Sequence, residues 1–552
     1  MTGGRRSWWG WGLEESALSG DRLDGLGALL AGFFGSAPVR HSPVPVEELE
    51  LRPPRIDPPA ALQPICDSSI YERARHAYGR SFRDVVRGFR GEFPHPPDVV
   101  AFPRTEADVV AVLDWCASTG TAVVPYGGGS SVVGGVECDA ERSVTLDLTG
   151  LGRVVEIDAT SRAARIQGGT LGPAMEDQLR PAGLTMRHYP QSFEYSTLGG
   201  WIATRSAGHH ATLATHIEDR VESLRVVTPH GVIETRRLPA SGAGPSPERL
   251  FAGSEGTLGV IVEAWMRVLQ RPTFRAGTSV VFDEFDGAVA ATRALAQSGL
   301  HPSNCRLLDR AEARFSGTGD QPVLLVAFES AAHPVADLLG QALECCTDHG
   351  GRADNPAHIA DANPGTGAAT AAPTGRDRAA DTWRQAFFDL PYLRDGLVAF
   401  SAIAETFETA ITWDRFPALH AAVKSAVMDT LAAVGAKGGF VSCRFTHVYP
   451  DGPAPYYTVI APGRPGAELE QWAAVKEAAS AAIHEAGGTS THHHAVGRDH
   501  RAAYDRERPG LFADVLRAAK VTLDPAGVLN PGVLFDPAPP RGDRPDRSDR
   551  PE

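Results

Sequence analysis

A glycine-rich run is the part of the sequence whose composition best fits a chemical task. Residues Pro125-Tyr-Gly-Gly-Gly-Ser-Ser-Val-Val-Gly-Gly-Val136 follow the apolar stretch Thr121–Val124, which predicts a buried strand. Glycines therefore arrive where the backbone must turn sharply, and main-chain N–H groups without nearby Cβ atoms form a concave donor surface for an anion. The run predicts a phosphate cradle, with a plain turn between strands as the alternative.

Two more glycine-bearing segments, Ser196–Trp201 and Gly253–Ile261, follow the first. Three such segments close together in one chain are hard to attribute to turns alone. Their glycines lack the G-x-G-x-x-G spacing at a strand-to-helix turn, which disfavours a nicotinamide cofactor. The hypothesis is therefore a different phosphate-bearing cofactor.

Three consecutive histidines, His492, His493 and His494, form a second candidate site. Consecutive side chains of a strand point to opposite faces, so at least one of the three is expected to make structural contacts. A metal site is a competing interpretation, and a solvated loop is another. We predict no metal, because no carboxylate or cysteine set stands at a familiar ligand spacing.

Local patterns predict the elements that position these residues. Thr105 is a plausible N-cap for a helix over Thr105–Thr119, and from Arg271 onward strands alternate with Ala-rich helices, which predicts a second domain. The other predicted elements are strands at Val99–Pro103, Val144–Leu148 and Ala163–Gln167, and helices at Gly169–Ala182 and Phe285–Ser298.

Length and charge limit the class of protein. The 552 residues suffice for roughly two to four domains at ~150 residues each. The formal charge, 53 − 67 = −14, argues against nucleic-acid binding, which needs a basic surface. Seven cysteines without a repeated spacing indicate neither a disulfide framework nor a zinc module, and a reducing compartment is expected.

Targeting signals are not evident in the sequence. The start lacks a signal-peptide core, the end is not a peroxisomal address, and the apolar patch Leu26–Phe34 is too short to span a bilayer. That patch is expected to pack on the core, with membrane docking as the alternative. Because no targeting signal or membrane span is evident, a cytoplasmic location is expected. The four lysines among many arginines and alanines indicate a GC-rich bacterial gene.

Taken together, four segments resemble the FAD-binding segments of the vanillyl-alcohol-oxidase type flavoprotein superfamily. Within it, the chain most resembles the alkyldihydroxyacetonephosphate synthase (alkylglycerone-phosphate synthase) family, from near Trp8 to about Phe535. The four segments are Pro125–Ser131, Gln191–Thr197, Gly199–Arg205 and Glu255–Ile261. The narrower likeness comes from Trp8-Trp-Gly-Trp-Gly12, Glu405-Thr-Phe-Glu-Thr-Ala-Ile-Thr-Trp-Asp-Arg415 and Thr491-His-His-His-Ala-Val-Gly497.

The resemblance implies an α+β architecture: a two-subdomain FAD-binding domain of the vanillyl-alcohol-oxidase type plus an α/β cap domain with an antiparallel sheet. FAD is expected to be noncovalent, because no histidine or cysteine lies in the glycine run, where many covalent relatives carry their linking histidine. The expected divisions are an N-terminal arm (1–60), the FAD-binding domain (61–270), the cap or substrate domain (271–500), a C-terminal segment returning to the flavin (501–536) and a disordered tail (537–552), with a surface loop or disordered insertion over 353–376. The implied FAD-binding residues are Pro125, Tyr126, Gly127, Gly128, Gly129, Ser130, Ser131, Gln191, Ser192, Ser196, Thr197, Gly200, Thr204, Arg205, Glu255, Gly256, Thr257, Gly259, Val260 and Ile261.

The resemblance also implies a reaction. The family exchanges the acyl chain of acyl-dihydroxyacetone phosphate for a fatty alcohol, giving an ether through an adduct at flavin N5 without net redox change; a related acyl ester is the other candidate substrate. Tyr456 matches the catalytic tyrosine, and His188 and His492–His494 match active-site histidines. Arg394 and Arg306 match substrate-binding arginines, for which a guanidinium fork suits phosphate. A phenol with a pKa near 10 is a base only where positive charge stabilises the phenolate.

Purely structural roles remain open for the same residues. Tyr456 could be an aromatic residue packed in a strand, and the adjacent Tyr457 leaves the register of that strand uncertain. Arg394 could belong to a surface ion pair, and Arg306 could form a structural bridge. Gln191 stands where the family usually has Asp, and the ending Leu523–Gly532 looks more like FAD-linked 2-hydroxyacid dehydrogenases. An FAD-dependent D-2-hydroxyacid dehydrogenase or oxidase is therefore the alternative function, and a non-catalytic flavin- or lipid-binding protein is a third.

The expected partners follow from the same resemblance. They are a long-chain acyl or alkyl phosphorylated ketone, a fatty alcohol and a second copy of the chain in a homodimer, with peripheral membrane contact near Leu26–Phe34. No nucleic-acid partner is expected.

Overall fold

A computed structural model describes residues 4–536 of the chain except 209, 211, 214, 356, 362–377 and 535. The predicted tail (537–552) and most of the predicted insertion (353–376) lie outside the described residues. Within them, no helix is both long and apolar enough to cross a membrane.

The structure is a mixture of helices and mainly antiparallel sheets. The strands are β1 (Cys66–Asp67), β2 (Val99–Ala101), β3 (Ala122–Tyr126), β4 (Ser143–Asp147), β5 (Val154–Asp158), β6 (Ala163–Gln167), β7 (Leu184–Thr185), β8 (Val221–Thr228), β9 (Gly231–Glu234), β10 (Val260–Arg267), β11 (Leu269–Gln270), β12 (Phe274–Val281), β13 (Asn304–Leu308), β14 (Val323–Ser330), β15 (His358–Asp361), β16 (Ala402–Glu408), β17 (Phe440–Val448) and β18 (Pro453–Pro462). The helices are α1 (Gly20–Phe34), α2 (Ile70–Arg75), α3 (Phe82–Phe89), α4 (Glu106–Thr119), α5 (Gly172–Leu179), α6 (Leu198–Thr204), α7 (Pro247–Phe251), α8 (Phe285–Gln297), α9 (Arg310–Phe315), α10 (Ala336–Thr347), α11 (Arg378–Ala399), α12 (Phe416–Ala433), α13 (Glu468–Ala486), α14 (Arg501–Glu507) and α15 (Gly510–Leu523).

Two sheets support the glycine-bearing segments. In the first, strands run in the order β1-β2-β4-β3, with β2 and β3 parallel to β4, and α4 packs its apolar face against them. In the second, the antiparallel order β5-β6-β10-β8-β9 packs on α5 and α6. The glycine run begins where β3 ends, and the C-terminal chain returns beside β3 through bonds from Val123 N to Val528 O and from Asn530 N to Val123 O, both 2.8 Å.

A seven-stranded antiparallel sheet, in the order β15-β12-β14-β13-β17-β18-β16, covers this part of the molecule. Its strands pair antiparallel throughout the described residues. Side chains alternate along each strand, so Cys443 and Phe445 of β17 enter the large core under α8, α10, α12 and α13 while Arg444 faces the opposite side. The predicted α+β fold with an antiparallel-sheet cap is confirmed.

The predicted elements form with small shifts at their ends. Thr105 caps α4 through a reciprocal capping box with Asp108, as its position predicted. The helix predicted over Gly169–Ala182 begins only at Gly172, because Leu171 is extended (φ −69°, ψ 150°) and forms an antiparallel bridge with Thr197. A 3₁₀ turn over Arg180–Ala182 completes that segment.

Candidate active site

One cavity brings the glycine run together with most of the residues singled out by the sequence. Its floor is formed by the loops that follow β3 and precede α6, and its roof by β13, β16, β17, β18 and α11. The predicted cofactor residues that line it are Pro125, Tyr126, Gly127, Gly128, Gly129, Ser130, Ser131, Gln191, Ser192, Ser196, Thr197, Gly200, Thr204, Glu255, Gly256, Gly259 and Ile261.

The glycine run has no room for side chains. A Cβ on Gly127 would lie 2.2 Å from Thr197 Oγ1, and a Cβ on Gly128 would lie 1.6 Å from Tyr195 O. Gly129 has φ +69°, in the left-handed region that favours glycine. The bare backbone faces the cavity, so the segment fits the phosphates of FAD as a donor-lined cradle.

Three predicted cofactor residues do not line the cavity. Arg205 ends α6 with φ +51° and pairs its Nε with Glu218 at 2.7 Å, outside the cavity. Thr257 donates its hydroxyl to Ser254 O at 2.7 Å, and Val260, at the start of β10, is buried in the core. Thr257 and Val260 therefore support the loop from the core side, whereas Arg205 is exposed.

Asn530 joins two of the cofactor segments and was not anticipated from the sequence. Its Nδ2 donates to Gly135 O at 3.0 Å and to Glu255 O at 2.7 Å. The Glu255 carboxylate in turn accepts bonds from Val496 N and Gly497 N, both 2.9 Å. Burial raises the pKa of Glu255 to about 7. The only sequence signal for Asn530 is its place in the Leu523–Gly532 ending, which had a family likeness but no assigned contact.

The three histidines lie in a turn, not a strand, wrapped around the buried carboxylate of Glu408. Glu408 accepts the backbone N–H groups of His492, His493 (3.1 Å) and His494 (2.8 Å) and the hydroxyl of Thr491 (2.6 Å). Although burial alone would raise the pKa of Glu408, these donors and the neighbouring imidazoles lower it to about 2. The glutamate therefore sets the shape of the loop as an anion.

The histidines divide between the cavity and its supporting layer. His493 and His494 line the cavity, whereas His492 lies behind them, with its Nε2 2.7 Å from the Tyr449 hydroxyl. The expectation that at least one of the three makes structural contacts agrees with this arrangement. Burial lowers the pKa of His493 well below 6.5, so its imidazole is neutral at pH 7.

His447, His492 and His493 each place one ring nitrogen within 4.8 Å of the other two. The sequence did not predict this group. His447 belongs to β17, so no ligand spacing along the chain could reveal it. The other nitrogen of His447 lies 2.7 Å from Gly208 O. The absence of a metal stays a prediction, now to be checked by metal analysis of the purified protein.

His188 is buried beside the cavity rather than on its wall. Its Nε2 lies 3.4 Å from Ser206 Oγ, and its ring packs 5.0 Å from that of Trp201. Its side chain is not among those lining the cavity, although Tyr189 and Gly208 beside it are. In this arrangement His188 supports the cavity wall.

Tyr456 lines the cavity between two neighbouring strands. Arg444 of β17 places its guanidinium 3.8 Å from the centre of the Tyr456 ring, and Glu408 is the partner across from it on β16. The Arg444 Nη1 is held by Glu312 at 2.6 Å. Burial raises the pKa of Tyr456, and Arg444 only partly opposes this. The positive charge that the sequence argument required is thus present, but the resting side chain is a phenol.

The adjacent Tyr457 settles the register of β18. Its side chain lies on the opposite face, fully buried in the core, with its hydroxyl 3.3 Å from His420 Nδ1. Tyr456 therefore faces the cavity and Tyr457 does not.

Arg394 offers one open edge to the cavity. Its Nη1 donates to Arg80 O, and its Nε and Nη2 are buried without a hydrogen-bond partner among the described residues. Nε and Nη2 form the side-on fork of a guanidinium, which binds phosphate or carboxylate with two parallel bonds. An ion pair with Asp395 does form at that edge, with Asp395 Oδ1 3.7 Å from Arg394 Nη2, which is longer than a hydrogen bond.

Arg306 also lines the cavity, on β13. It is 2% exposed, and its Nε and Nη1 lack hydrogen-bond partners within the described part of the chain. Its guanidinium lies over the rings of Trp383 (5.5 Å) and Phe387 (5.1 Å), and burial lowers its pKa to about 9. The cavity wall therefore carries more positive charge than its own carboxylates neutralise.

The cavity lining beside Arg394 is apolar, and this part of the lining is called the apolar branch. Residues of α9, α11, β16 and β18 form it. The lining residues of this branch are Phe315, Phe387, Leu390, Leu393, Leu397, Ala404, Val459 and Ile460. A hydrocarbon chain fits such a surface because its burial is driven by the hydrophobic effect.

We expect Glu408→Gln to destabilise the histidine loop and to lower ether-forming activity. The amide adds donors where the carboxylate accepts four bonds, which costs about 2 to 3 kcal/mol in the free energy of unfolding. Because the pKa of Glu408 is lowered to about 2, its contribution is complete above pH 5 and is lost as the pH falls through about 2. Chemical denaturation of the FAD-loaded protein between pH 7 and pH 3 measures this loss.

Glu507→Gln is the matched control for that variant. Glu507 is exposed and bonds Thr489 and Ser490 at the start of the same loop. An exposed carboxylate contributes less than about 1 kcal/mol. Equal destabilisation by both variants would contradict the assigned role of Glu408.

Comparison with known proteins agrees with the cavity's chemistry. Residues 97–236 match the FAD binding domain family, and residues 271–534 match the family of FAD linked oxidases, C-terminal domain. FAD is thus the cofactor of this chain.

Relatives that match most of the chain carry a more specific name than these two domain families. The chain is 31% identical to alkyldihydroxyacetonephosphate synthase of Trypanosoma brucei brucei over 88% of this chain and 82% of that protein. It is 30% identical to the protein of the same name from Dictyostelium discoideum over 84% of this chain and 77% of that protein. A solved alkyldihydroxyacetonephosphate synthase superposes with a TM-score of 0.79 at 24% identity, covering 95% of this chain and 98% of that structure, which shows the fold.

Proposed function

The chain belongs to the alkyldihydroxyacetonephosphate synthase family, and we propose that it exchanges the acyl chain of acyl-dihydroxyacetone phosphate for a long-chain alcohol. The ester's C1–O bond breaks, the fatty acid leaves with the bridging oxygen and takes up one proton, and the alcohol oxygen bonds to C1 while giving up its proton. Electrons balance without an external oxidant. The products are an ether-linked ketone phosphate and a fatty acid.

FAD supports this exchange from the cradle of bare glycine backbone. When bound, it supplies a ring system that can take electrons from the substrate carbon and return them. The residues that would hold it are the glycine run, Thr197 with α6, and the Glu255–Ile261 turn. No histidine or cysteine stands within the glycine run, in keeping with noncovalent binding.

Two parts of the substrate have matching surfaces in one cavity. The Nε–Nη2 edge of Arg394, which has no hydrogen-bond partner among the described residues, suits the phosphate, and the apolar branch along α11 suits the hydrocarbon chain. Because Leu393 and Leu397 precede and follow Arg394 on the same helix, head and chain meet at one element. This juxtaposition of a guanidinium fork without hydrogen-bond partners and an apolar branch is the observation that carries the proposal.

Two groups on the cavity wall are suited to proton transfer. Burial raises the pKa of Tyr456 and lowers that of His493, so at pH 7 the first is a donor and the second an acceptor. Groups with pKa values pushed apart in this way divide acid and base roles. Tyr456 would protonate the departing carboxylate, His493 would accept the proton of the alcohol, and return of that proton to the Tyr456 oxygen would restore both groups.

Product analysis tests the proposal. The FAD-loaded protein is given acyl-dihydroxyacetone phosphate, isotopically labelled in the bridging ester oxygen, together with hexadecanol. We expect an alkyl ether whose oxygen comes from hexadecanol, the label in the released fatty acid, and no net flavin bleaching. Hydrolysis without ether formation would overturn the proposal.

The alternative, a D-2-hydroxyacid dehydrogenase or oxidase, is supported less well. Its support is the Leu523–Gly532 ending and the match to FAD linked oxidases. Anaerobic mixing with D-2-hydroxyacids separates the two functions, because a dehydrogenase would bleach its flavin within one turnover. Rapid bleaching combined with absence of an ether product would favour the alternative.

Peripheral membrane contact through α1 would give the enzyme access to its long-chain substrates. Leu26 and Leu30 are buried against the core, as expected, but Leu29 and Phe33 of the same helix are 49% and 43% exposed. The Phe33 ring contacts Phe440 at 5.6 Å, and Phe440 contacts Phe315 of the apolar branch at 5.6 Å.

We expect Leu29→Asp with Phe33→Asp to weaken vesicle binding. Each charge replaces an apolar side chain that would enter the lipid surface. Flotation with phosphatidylcholine vesicles measures the effect, and Gly25→Asp, on the same helix, is the control for added charge. Equal flotation of all forms would exclude α1 as the contact.

A further inference from the structure

The motif Trp8-Trp-Gly-Trp-Gly12 forms a closed turn at the wall of the cavity. Residues Ser7–Gly12 are called the N-terminal strap. Ser7 N donates to Gly12 O at 2.9 Å, and Gly10 N donates to Ser7 Oγ at 2.9 Å. Trp8 and Trp11 are buried, and Trp11 lines the cavity against Tyr195, with ring centres 5.6 Å apart. A segment near the start of the chain therefore forms part of the wall of the site.

Arg80 ties the strap to both halves of the site. Its buried guanidinium donates to Gly10 O at 2.6 Å and to Ser7 O at 3.1 Å. Its backbone N donates to Ser131 O of the glycine run at 2.5 Å, while its backbone O accepts from Arg394. Strap, cofactor cradle and substrate arginine thus share one residue.

The strap also holds the residue next to Arg394. Trp11 N donates to the Asp395 carboxylate at 2.5 Å. The approach needs glycine at position 10, because a Cβ there would lie 2.5 Å from Asp395 Oδ2. Gly12 has φ +67°, and a Cβ there would lie 2.3 Å from the Tyr392 hydroxyl, one turn before Asp395 on α11. The spacing of the two glycines therefore matches two contacts with α11.

We propose that the N-terminal strap determines specificity for the phosphate end of the substrate. Gly10 and Trp11 position Asp395, and Asp395, whose Oδ1 lies 3.7 Å from Arg394 Nη2, positions the Nε–Nη2 edge of Arg394. Gly10, Trp11 and Asp395 are positioning residues, since they act through Arg394 and not on the substrate. The inference rests on the proposed function, because it takes the anion at that edge to be the substrate phosphate.

The test compares Gly10→Ala with wild-type protein, both loaded with FAD. Calorimetry measures binding of dihydroxyacetone phosphate, inorganic phosphate and unphosphorylated dihydroxyacetone. We expect affinity for both phosphates to fall about tenfold, the equivalent of one weakened charge-assisted hydrogen bond. Binding of dihydroxyacetone should not change, and in the ether-forming assay KM should rise with little change in kcat.

Two further variants keep the test decisive. Gly32→Ala is the matched control, because a Cβ at Gly32 meets no atom within 4 Å; it should bind as wild type does. Ser7→Ala removes the hydroxyl that holds Gly10 N without adding volume, so it decides the question if Gly10→Ala loses FAD or fails to fold. We expect it to weaken phosphate binding about threefold.

The possible outcomes separate this inference from the function on which it rests. Unchanged phosphate affinity in folded, FAD-loaded Gly10→Ala, or in Ser7→Ala where Gly10→Ala fails to fold, overturns the inference alone. Equal loss for dihydroxyacetone and its phosphate also overturns it, since that result indicates general damage to the cavity. A wild-type protein that binds no phosphorylated ketone overturns the proposed function and the inference together.

Discussion

We expect Gly128→Ala to yield a protein that no longer retains FAD. The added Cβ would lie 1.6 Å from Tyr195 O and 2.3 Å from Tyr195 C, and both atoms belong to the backbone. Neither segment can retreat cheaply, because Tyr195 ends the 3₁₀ turn Phe193–Tyr195 that leads into α6. Separating the two segments would cost about 3 kcal/mol or more, which is a loss of at least about a hundredfold in FAD affinity.

The measurement is the flavin-to-protein absorbance ratio after gel filtration, followed by fluorescence titration of the apoprotein with FAD. Gly340→Ala is the control, because a Cβ on that glycine of α10 meets nothing within 4 Å. Full flavin content in Gly128→Ala would show that the glycine run is not the cradle. Unchanged thermal stability of the apoprotein would localise the loss to the cofactor site.

Features that depend on neighbours in the chain could be predicted from the sequence. The capping box of Thr105 needs only a suitable residue three positions later. The many glycines of the glycine run indicate close backbone contacts. The whole-chain motifs extended this to the superfamily, because each motif contains a residue that lines the cavity. Helix ends moved where a distant segment intervened, as at Leu171, which bridges Thr197.

Supporting residues could not be predicted, because they act across the fold. Arg444 and Glu312 are separated by 132 positions, and the Glu408 carboxylate meets the histidine loop 84 to 86 positions later. Asn530 reaches Gly135 over 395 positions. Nothing in the local sequence around any of them specifies a partner. The pairing of β16, β17 and β18 brings Glu408 and Arg444 together, and the return of the C-terminal chain beside β3 places Asn530.

The N-terminal strap is a motif that could be recognised in the sequence, although its structural role could not be predicted. Two glycines two positions apart in Trp8–Gly12 suggested a family likeness and nothing more. Their cause is the packing of α11, since Gly10 meets Asp395 and Gly12 meets Tyr392. A sequence can thus show that a position is constrained while the source of the constraint lies in another domain.

Tyr456→Phe should abolish most ether formation while leaving the cofactor in place. The variant removes a single oxygen from a ring that Arg444 and the strand neighbours continue to hold, so the packing of β18 is preserved. If the phenol transfers a proton at C1, kcat/KM falls by about 10² to 10⁴. Flavin content and affinity for dihydroxyacetone phosphate should equal those of the wild type.

Tyr457→Phe provides the control because that neighbour faces the core, with its hydroxyl near His420. It should cost some stability and little activity, so activity retained by both variants, or lost equally in both, would contradict the assignment of Tyr456. The pH profile adds a second check. Because the pKa of Tyr456 is raised from 10 and that of His493 is lowered well below 6.5, wild-type kcat/KM should stay level between about pH 7 and pH 10. A limb inside that range that disappears in Tyr456→Phe would mean that Tyr456 ionises there, and the phenol would then act as the base in place of His493.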